Sequence, residues 1–466
     1  MKLITRNAAA AVAAFGLLAL SGAAMATNGY FTHGIGTESK GMAGTGVGSN
    51  AAKGSIIGAS NPALAVFAED GWEVGLALFS PMRSYEAQPG LAMGNGGAFS
   101  LSAGKYDSSS EWFPIPYIAK NFRLSGGNVI NVSFYGRGGM NTDWDDSSAF
   151  ALFDPTGQGG APADPPPPGL FGGGDAVVDL SQAFLAVNFA GMAGDNFSWG
   201  VGPVFAVQIF EATGLANFTP FTKTFAESIL GGGGPVPADS LTNNSHDTST
   251  GFGFAGGIWW AMGNSFSAGL AYQSKMSMSE LKDYSDLFAE GGGFDIPATT
   301  KLGLSFAGTN NVRLNLDIEH TEYGDVASIA NPMANLARCP TAGLGGTDLE
   351  SCLGGKNGAG FGWEDMTTFK LGMEWYANAN TTYRFGYSYG DQPIQEADVM
   401  FNILAPGVME QHFTFGMTKA RSNGGAWNLS LMYAPSNTVK CVNMFDPTQE
   451  LEIEMSQFEI EFSYLW

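Results

Sequence analysis

Few residues in this chain are spaced for covalent chemistry. Ser245-His246-Asp247 brings together the side-chain types of a hydrolytic triad, but as neighbours in sequence. A triad needs a base turned toward its nucleophile and an acid behind the base. The four histidines, His33, His246, His320 and His412, are scattered. Glycines at 34, 36, 41, 44, 46 and 48 superficially suggest a phosphate cradle, yet no strand and helix flank them as a dinucleotide site requires. Asp143, Asp145 and Asp146 could gather round a divalent ion, but the glycine and closing glutamate of a calcium loop are missing. Cys339 and Cys352 could close a short loop in an oxidising compartment, leaving Cys441 spare, and no histidine lies near them for a metal site. No catalytic residue, metal or cofactor is expected. A lipase-like hydrolase is the enzymatic alternative.

The more informative spacings are apolar. Phe218, Phe221, Phe225 and Ile229 recur every three or four residues and would share one face of a short helix. Leu281, Tyr284, Leu287 and Phe288 form a second such group. Exposed aromatic clusters of this kind mark either a helix packed on a rim or a landing groove for a greasy ligand.

These groups sit in loops between alternating segments. Val312-Leu314-Leu316-Ile318 alternates with Arg313-Asn315-Asp317-Glu319, and Phe369-Leu371-Met373-Trp375 with Thr368-Lys370-Gly372-Glu374. One face of each strand is greasy and the other charged, as in strands that meet lipid outside and water inside. The same reading gives strands at about 72–87, 111–122, 128–141, 176–190, 197–212, 248–262, 264–279, 297–308, 312–325, 363–376, 381–391, 410–421, 426–436 and 451–466. The fold expected is therefore all-β, an antiparallel transmembrane β-barrel of about 14 strands. Short turns such as 123–127, 308–311, 377–380 and 422–425 would be periplasmic, and the long loops 142–175, 213–247 and 326–362 extracellular. In the last strand Leu451, Ile453 and Met455 are odd but Phe458 to Trp466 even, so a parity slip, a bulge or a loop end is expected near Ser456-Gln457.

Residues 1–26 read as a signal peptide, with a basic start, an apolar run from Ala8 to Leu20, and Ala24-Met25-Ala26 before Thr27. Residues 27–70, rich in Gly, Ala and Ser, cannot build a core and are expected to be a plug inside the barrel of residues 71–466. The net charge of −22 excludes a nucleic-acid partner. A general porin is the second alternative, which a plug argues against. The aromatic terminal residue Trp466 looks like the signal read by the barrel insertion machinery.

The order of these features resembles the long-chain fatty acid transporters of bacterial outer membranes and their relatives that admit toluene and other hydrocarbons. The resemblance rests on the glycine-rich segment ending in Asn61-Pro62-Ala63, on Tyr272-Gln273-Ser274-Lys275, Ile296-Pro297-Ala298-Thr299 and Trp363-Glu364-Asp365, and on Tyr383-Arg384-Phe385-Gly386-Tyr387. It implies a monomer that passes a hydrophobic ligand, fatty acid or hydrocarbon, to the outer-membrane lipids. It implies an amino-terminal hatch that includes Tyr30, Phe31, Asn61, Pro62 and Ala63, and a lateral exit beside a kinked third strand, where Gly136, Gly138 and Gly139 are the bending residues. Phe218, Phe221, Phe225, Ile229, Leu281, Tyr284 and Phe288 become candidates for the apolar site. A fatty acid would need its carboxylate met in a low-dielectric place. Parity points Arg137, Lys275 and Lys301 into the lumen, and Lys223 lies on a loop beside it.

Overall fold

The computed structural model describes residues 27–90, 100–145, 169–237, 239–309, 311–422 and 424–466. The proposed signal peptide, Asp146 and the proline run of the 142–175 loop lie outside the described residues. The strands are β1 (Trp72–Ala87), β2 (Gly104–Asp107), β3 (Phe113–Arg123), β4 (Val129–Trp144), β5 (Ala176–Met192), β6 (Phe197–Ala212), β7 (Asp247–Met262) and β8 (Phe266–Gln273). They continue as β9 (Ser277–Met278), β10 (Thr299–Thr309), β11 (Val312–Thr321), β12 (Met366–Asn378), β13 (Thr381–Tyr389), β14 (Gln411–Ala420), β15 (Ala426–Val442) and β16 (Glu450–Leu465). β2 pairs only β1 and β9 only β7, so fourteen strands make the wall. The ring closes where β1 pairs β16 from Glu73↔Leu465 to Ala87↔Leu451, which leaves the sheet no open edge.

Alternation sorts the two faces. Leu302, Leu304, Leu314, Leu316, Phe369 and Leu371 are each between 42% and 53% exposed, the row a bilayer would cover. The inward positions divide by depth. Toward the periplasmic end they are polar, with Glu73, Asn131, Asn188, Asp317, Lys370 and Glu461 all buried. Toward the extracellular end they are apolar, with Phe79, Leu180, Phe184 and Phe210 in one large core cluster.

This division corrects the expected parity slip at Ser456-Gln457. Leu451, Ile453, Met455, Gln457, Glu459, Glu461 and Ser463 are all buried on one unbroken face, and the register with β1 runs through without interruption. What changes at Gln457 is the chemistry of the lumen. The irregularity falls instead in β15, between Ala434 and Asn437, opposite that point. The strand read at 264–279 is also two pieces, because β8 stops at Gln273.

Residues 27–70 lie in the polar half. Apart from single helical turns at Thr37–Lys40, Ile57–Ser60 and Pro62–Val66 they have little regular structure, so the wall must satisfy their backbone. Asn121, Asn131, Asn188 and Ser198 donate to the carbonyls of Ala65, Ser55, Gly58 and Ala63. Trp259 and Ser267 both donate to Gly48 O, and Lys370 donates to His33 O at 2.8 Å. The Asp317 carboxylate accepts the N–H groups of Gly46 and Val47, each at 2.9 Å. Charge adds to this. Lys40 pairs with Glu459 at 2.9 Å and Glu461 at 2.7 Å, and Glu38 pairs with Arg384 at 2.8 Å, all of them buried. Wall glycines permit the approach: a Cβ on Gly269 would strike Val47 O, and one on Gly386 the backbone of Met42.

Removing one partner from such a buried group leaves uncompensated charge, at a cost of roughly 3–5 kcal/mol. Lys40→Ala is therefore expected to lower the thermal midpoint of the folded barrel in detergent, followed by its heat-modifiable gel mobility. Adding Glu459→Gln and Glu461→Gln should recover part of the loss, and an unchanged midpoint in the single variant would contradict the buried triad.

Candidate functional site

The apolar half of the lumen contains a partly open cavity of about 530 Å³. The wall contributes Val178 from β5 and Phe210 from β6, and the loops contribute Phe218, Phe288, Leu353, Phe361, Phe401 and Leu404 among others. Among the described residues of the lining only Ser328 carries a polar side chain, and its hydroxyl donates to Gly293 O. The aromatic rings pack edge to face, Phe210 against Phe288 at 4.7 Å and Phe218 against Phe401 at 5.2 Å between centroids. The arrangement offers contact area with almost no hydrogen-bonding partner, which suits an apolar ligand.

Of the candidate apolar residues, Phe218 and Phe288 line this cavity. Leu281, Tyr284 and Phe221 are buried outside its lining, Tyr284 with its hydroxyl donating to Ser245 O and accepting from Ala212 N. Phe225 and Ile229 do not join them. The expected single helix is split into a 3₁₀ segment, Ala216–Phe221, and an α-helix, Lys223–Leu230, because Pro220 interrupts the first and Thr222 caps the second through Phe225 N–H. Phe218 and Phe221 therefore turn inward, while Phe225 is half-buried and Ile229 exposed. Phe210, Phe361, Phe401 and Leu404 were missed. Phe210 was available from parity, since it continues the inward row Val204, Ala206, Gln208 of β6. The apolar run Val399 to Leu404, between β13 and β14, was the signal for the other loop.

The roof is stapled. Cys339 and Cys352 form a disulfide, Cys441 is free, and Leu353 N–H, next to the bridge, donates to Phe221 O at 2.9 Å. Thr341 Oγ1 donates to Pro220 O.

The cations are mostly occupied. Arg137 is buried, donates to Gln273 Oε1 and Thr299 Oγ1 at 3.0 Å each, pairs with Glu319 at 3.4 Å and lies 4.2 Å over the Phe31 ring. Lys275 does not point into the lumen as parity suggested, because it follows the end of β8. Its ammonium pairs with Asp295 at 3.2 Å and donates to Asp325 O, with 39% of the side chain exposed. Lys223 pairs with Glu350 at 2.6 Å, and that hydrogen bond raises the lysine pKa and lowers the carboxylate's. Lys301 is buried, with Glu319 at 3.7 Å. Arg137 and Lys301 share a separate chamber of about 300 Å³ beside Ser60 and Pro62, away from the apolar cavity.

Asn61 ties two parts of the amino-terminal segment to the wall: its Nδ2 donates to Val47 O at 3.0 Å and Ile258 O at 3.3 Å, and its Oδ1 accepts from Ala63 N at 3.0 Å. Pro62 opens the following 3₁₀ turn, and a Cβ on Gly200 would strike its carbonyl. Tyr30 and Phe31 pack with Tyr323 and Trp363, and Phe31 forms a bridge to Gly138.

That bridge lands on a bulge. The β4–β5 register shifts between Gly136 and Gly138, making Arg137 the extra residue. The β3–β4 ladder ends at Tyr117↔Tyr135, so Phe113 to Pro116 have no partner on β4. Pro114 and Pro116 have no ladder N–H to offer. Above the gap the two sides meet again: Ser109 N–H donates to Asp143 O at 3.0 Å, and Arg83 donates to the carbonyls of Ser110 and Asn141. The result is a stretch of wall where β3 and β4 are not hydrogen-bonded to each other, a candidate window, with residues 30–32 of the amino-terminal segment bonded to β4 at its inner side.

Ser245, His246 and Asp247 form no triad: the His246 ring meets Asp179 at 3.4 Å and Glu211 at 3.2 Å. Among the described residues no cluster of His, Cys, Asp and Glu could hold a metal.

The fold matches solved outer-membrane channels. The Pseudomonas putida toluene transporter TodX superposes with a TM-score of 0.61 at 16% identity, covering 93% of this chain and 98% of that one. A Pseudomonas aeruginosa FadL homologue gives 0.58 at 15%, covering 94% and 98%. The Ralstonia pickettii toluene transporter TbuX gives 0.54 at 15%, covering 93% and 98%. Comparison with curated protein sequences gives no match. Residues 173–418, more than half of the chain, match the family described as outer membrane protein transport protein (OMPP1/FadL/TodX). With its closed fourteen-strand wall, this chain belongs to that family of outer-membrane transport proteins.

Proposed function

We propose that this chain passes hydrophobic molecules from the cell surface into the outer membrane by diffusion, with no catalytic step. A ligand enters the Phe210–Phe218–Phe288 cavity and leaves through the β3–β4 window. The observation that carries the reading is the lining of the cavity, apolar except for one hydroxyl that already has a partner. Burying apolar surface there is worth about 25 cal/mol per Å² removed from water. Residues 27–70 act as the hatch, anchored at Asn61-Pro62-Ala63 and reaching the window through Phe31. A hatch bonded to nearly every strand argues against an open porin.

The cargo supported best is a neutral hydrocarbon, aromatic or alkane, because no cation lies among the described residues of the cavity lining. A long-chain fatty acid is the second reading. What favours it is Lys301, a buried ammonium with a carboxylate at 3.7 Å, facing the separate chamber beside Ser60 and Pro62.

Tritiated oleate and toluene binding to the purified barrel separates the two. Lys301→Gln should weaken oleate binding by about tenfold, the worth of one charge-assisted hydrogen bond, if a carboxylate reaches that chamber. Equal loss, or none, for both ligands would remove the fatty-acid reading. Phe218→Ala should weaken both ligands, since it removes wall from the cavity they share. For the exit, a Gly138→Val side chain would meet Gln182 and Tyr30. Uptake by cells should fall with surface binding retained, and normal uptake would count against the window as the route.

A further inference from the structure

A second, smaller cavity of about 260 Å³ lies against the window. Arg83 from β1, Met140 and Asn141 from β4, and Met455 from β16 line it. Met140 and Asn141 stand on β4 beyond the end of its ladder with β3, so this cavity lies beside the unpaired stretch.

The two cavities are back to back. Phe361 lines the larger and Trp363, two residues on, the smaller, with their rings 6.2 Å apart. Leu404 lines the larger and Ala405, Pro406 and Gly407 the smaller. One layer of side chains separates the place where a ligand is received from the place where it would leave. Resting on the transport reading above, we propose that Trp363 and the strap Ile403–Gly407 are a size-selecting partition that a ligand must pass to reach the window.

The partition is held from both ends. Asn402, fully buried, accepts the Trp363 Nε1–H at 2.6 Å and donates to Phe361 O at 2.7 Å, so one amide positions both rings. The strap is tied to the window strand: Thr142 Oγ1 donates to Leu404 O at 2.9 Å and Trp144 Nε1 to Ile403 O at 3.1 Å. Trp363 also packs edge-on to Tyr323 at 5.3 Å, and Tyr323 donates to Asn28 O in the hatch. A planar ring can pass where Trp363 rotates aside. A fused polycyclic ligand needs the strap to move as well, and with it the end of β4.

The partition sets which hydrophobic molecules leave, while the larger cavity sets how tightly they bind. Uptake of labelled toluene and naphthalene by cells carrying the full chain tests it. Trp363→Ala should raise the naphthalene-to-toluene uptake ratio by about tenfold, on the scale at which a pocket separates ligands by size. Binding to the purified barrel should change far less than uptake. Asn402→Ala, which leaves the ring present but unheld, should raise the ratio by a smaller factor, and Asn402→Gln should restore part of the discrimination. Heat-modifiable mobility reports that each barrel is folded, and Trp363→Phe serves if the alanine variant is not. An unchanged ratio in folded Trp363 variants, with wild-type uptake intact, would overturn the partition alone. Wild-type cells that take up neither compound would overturn the hydrocarbon reading and the partition with it.

Discussion

At membrane depth every backbone N–H and C=O must find a partner, and a closed antiparallel ring is the way strands meet that demand. Here the ring closes from β1 to β16 without a gap, and the lipid-facing rows of Leu and Phe follow from it. The same demand makes the β3–β4 interruption informative. Between β3 and β4 the ladder stops at Tyr117↔Tyr135, where two prolines remove donors on one side and a glycine-rich bulge bends the other. Tyr30, Phe31 and Thr32 of the amino-terminal segment reach into that interruption, with Gly139 N–H donating to Tyr30 O and Thr32 N–H to Arg137 O. The opening and the segment that attends it are thus one hydrogen-bonded unit.

A strand's period of two frees its inner face from its outer one. The outer face is constrained by lipid all along, but the inner face can change chemistry partway, and does. Carboxylates, amides and ammonium groups occupy the half that holds an irregular chain, because an irregular chain exposes backbone groups that need partners. Apolar side chains occupy the other half, where the content is meant to come and go.

Much of this was legible in the sequence. Strong alternation in the later half located β11 and β12 to within a few residues, because each row there is uniformly greasy outside and charged inside. Legibility failed where the inner face turned apolar. Leu451, Ile453 and Met455 looked like a lipid row out of step, since alternation tells two faces apart only when they differ. The cavity was half legible. Phe218 and Phe288 stood out by spacing, but spacing could not show that Thr222 would start a new helix and send Phe225 and Ile229 outward. Phe361 and Phe401 come from different loops, and nothing local to either says that they meet. Among the cations Lys275 alone was misjudged in direction, for a related reason: parity gives a direction only while the strand lasts, and β8 ends before it, whereas Arg137 and Lys301 are buried inside as parity suggested. Arg137 is the extra residue of a bulge, where alternation carries no information.

Lys40 joins the start of the chain to its end. Its partners Glu459 and Glu461 lie on β16, the strand that closes the ring, more than four hundred residues away. Contacts of such separation form late, because the loop they close is the longest the chain can make. Until β16 is in place, the Lys40 ammonium has neither of its carboxylates. Sealing the barrel therefore also completes the charge pairing of the segment it contains.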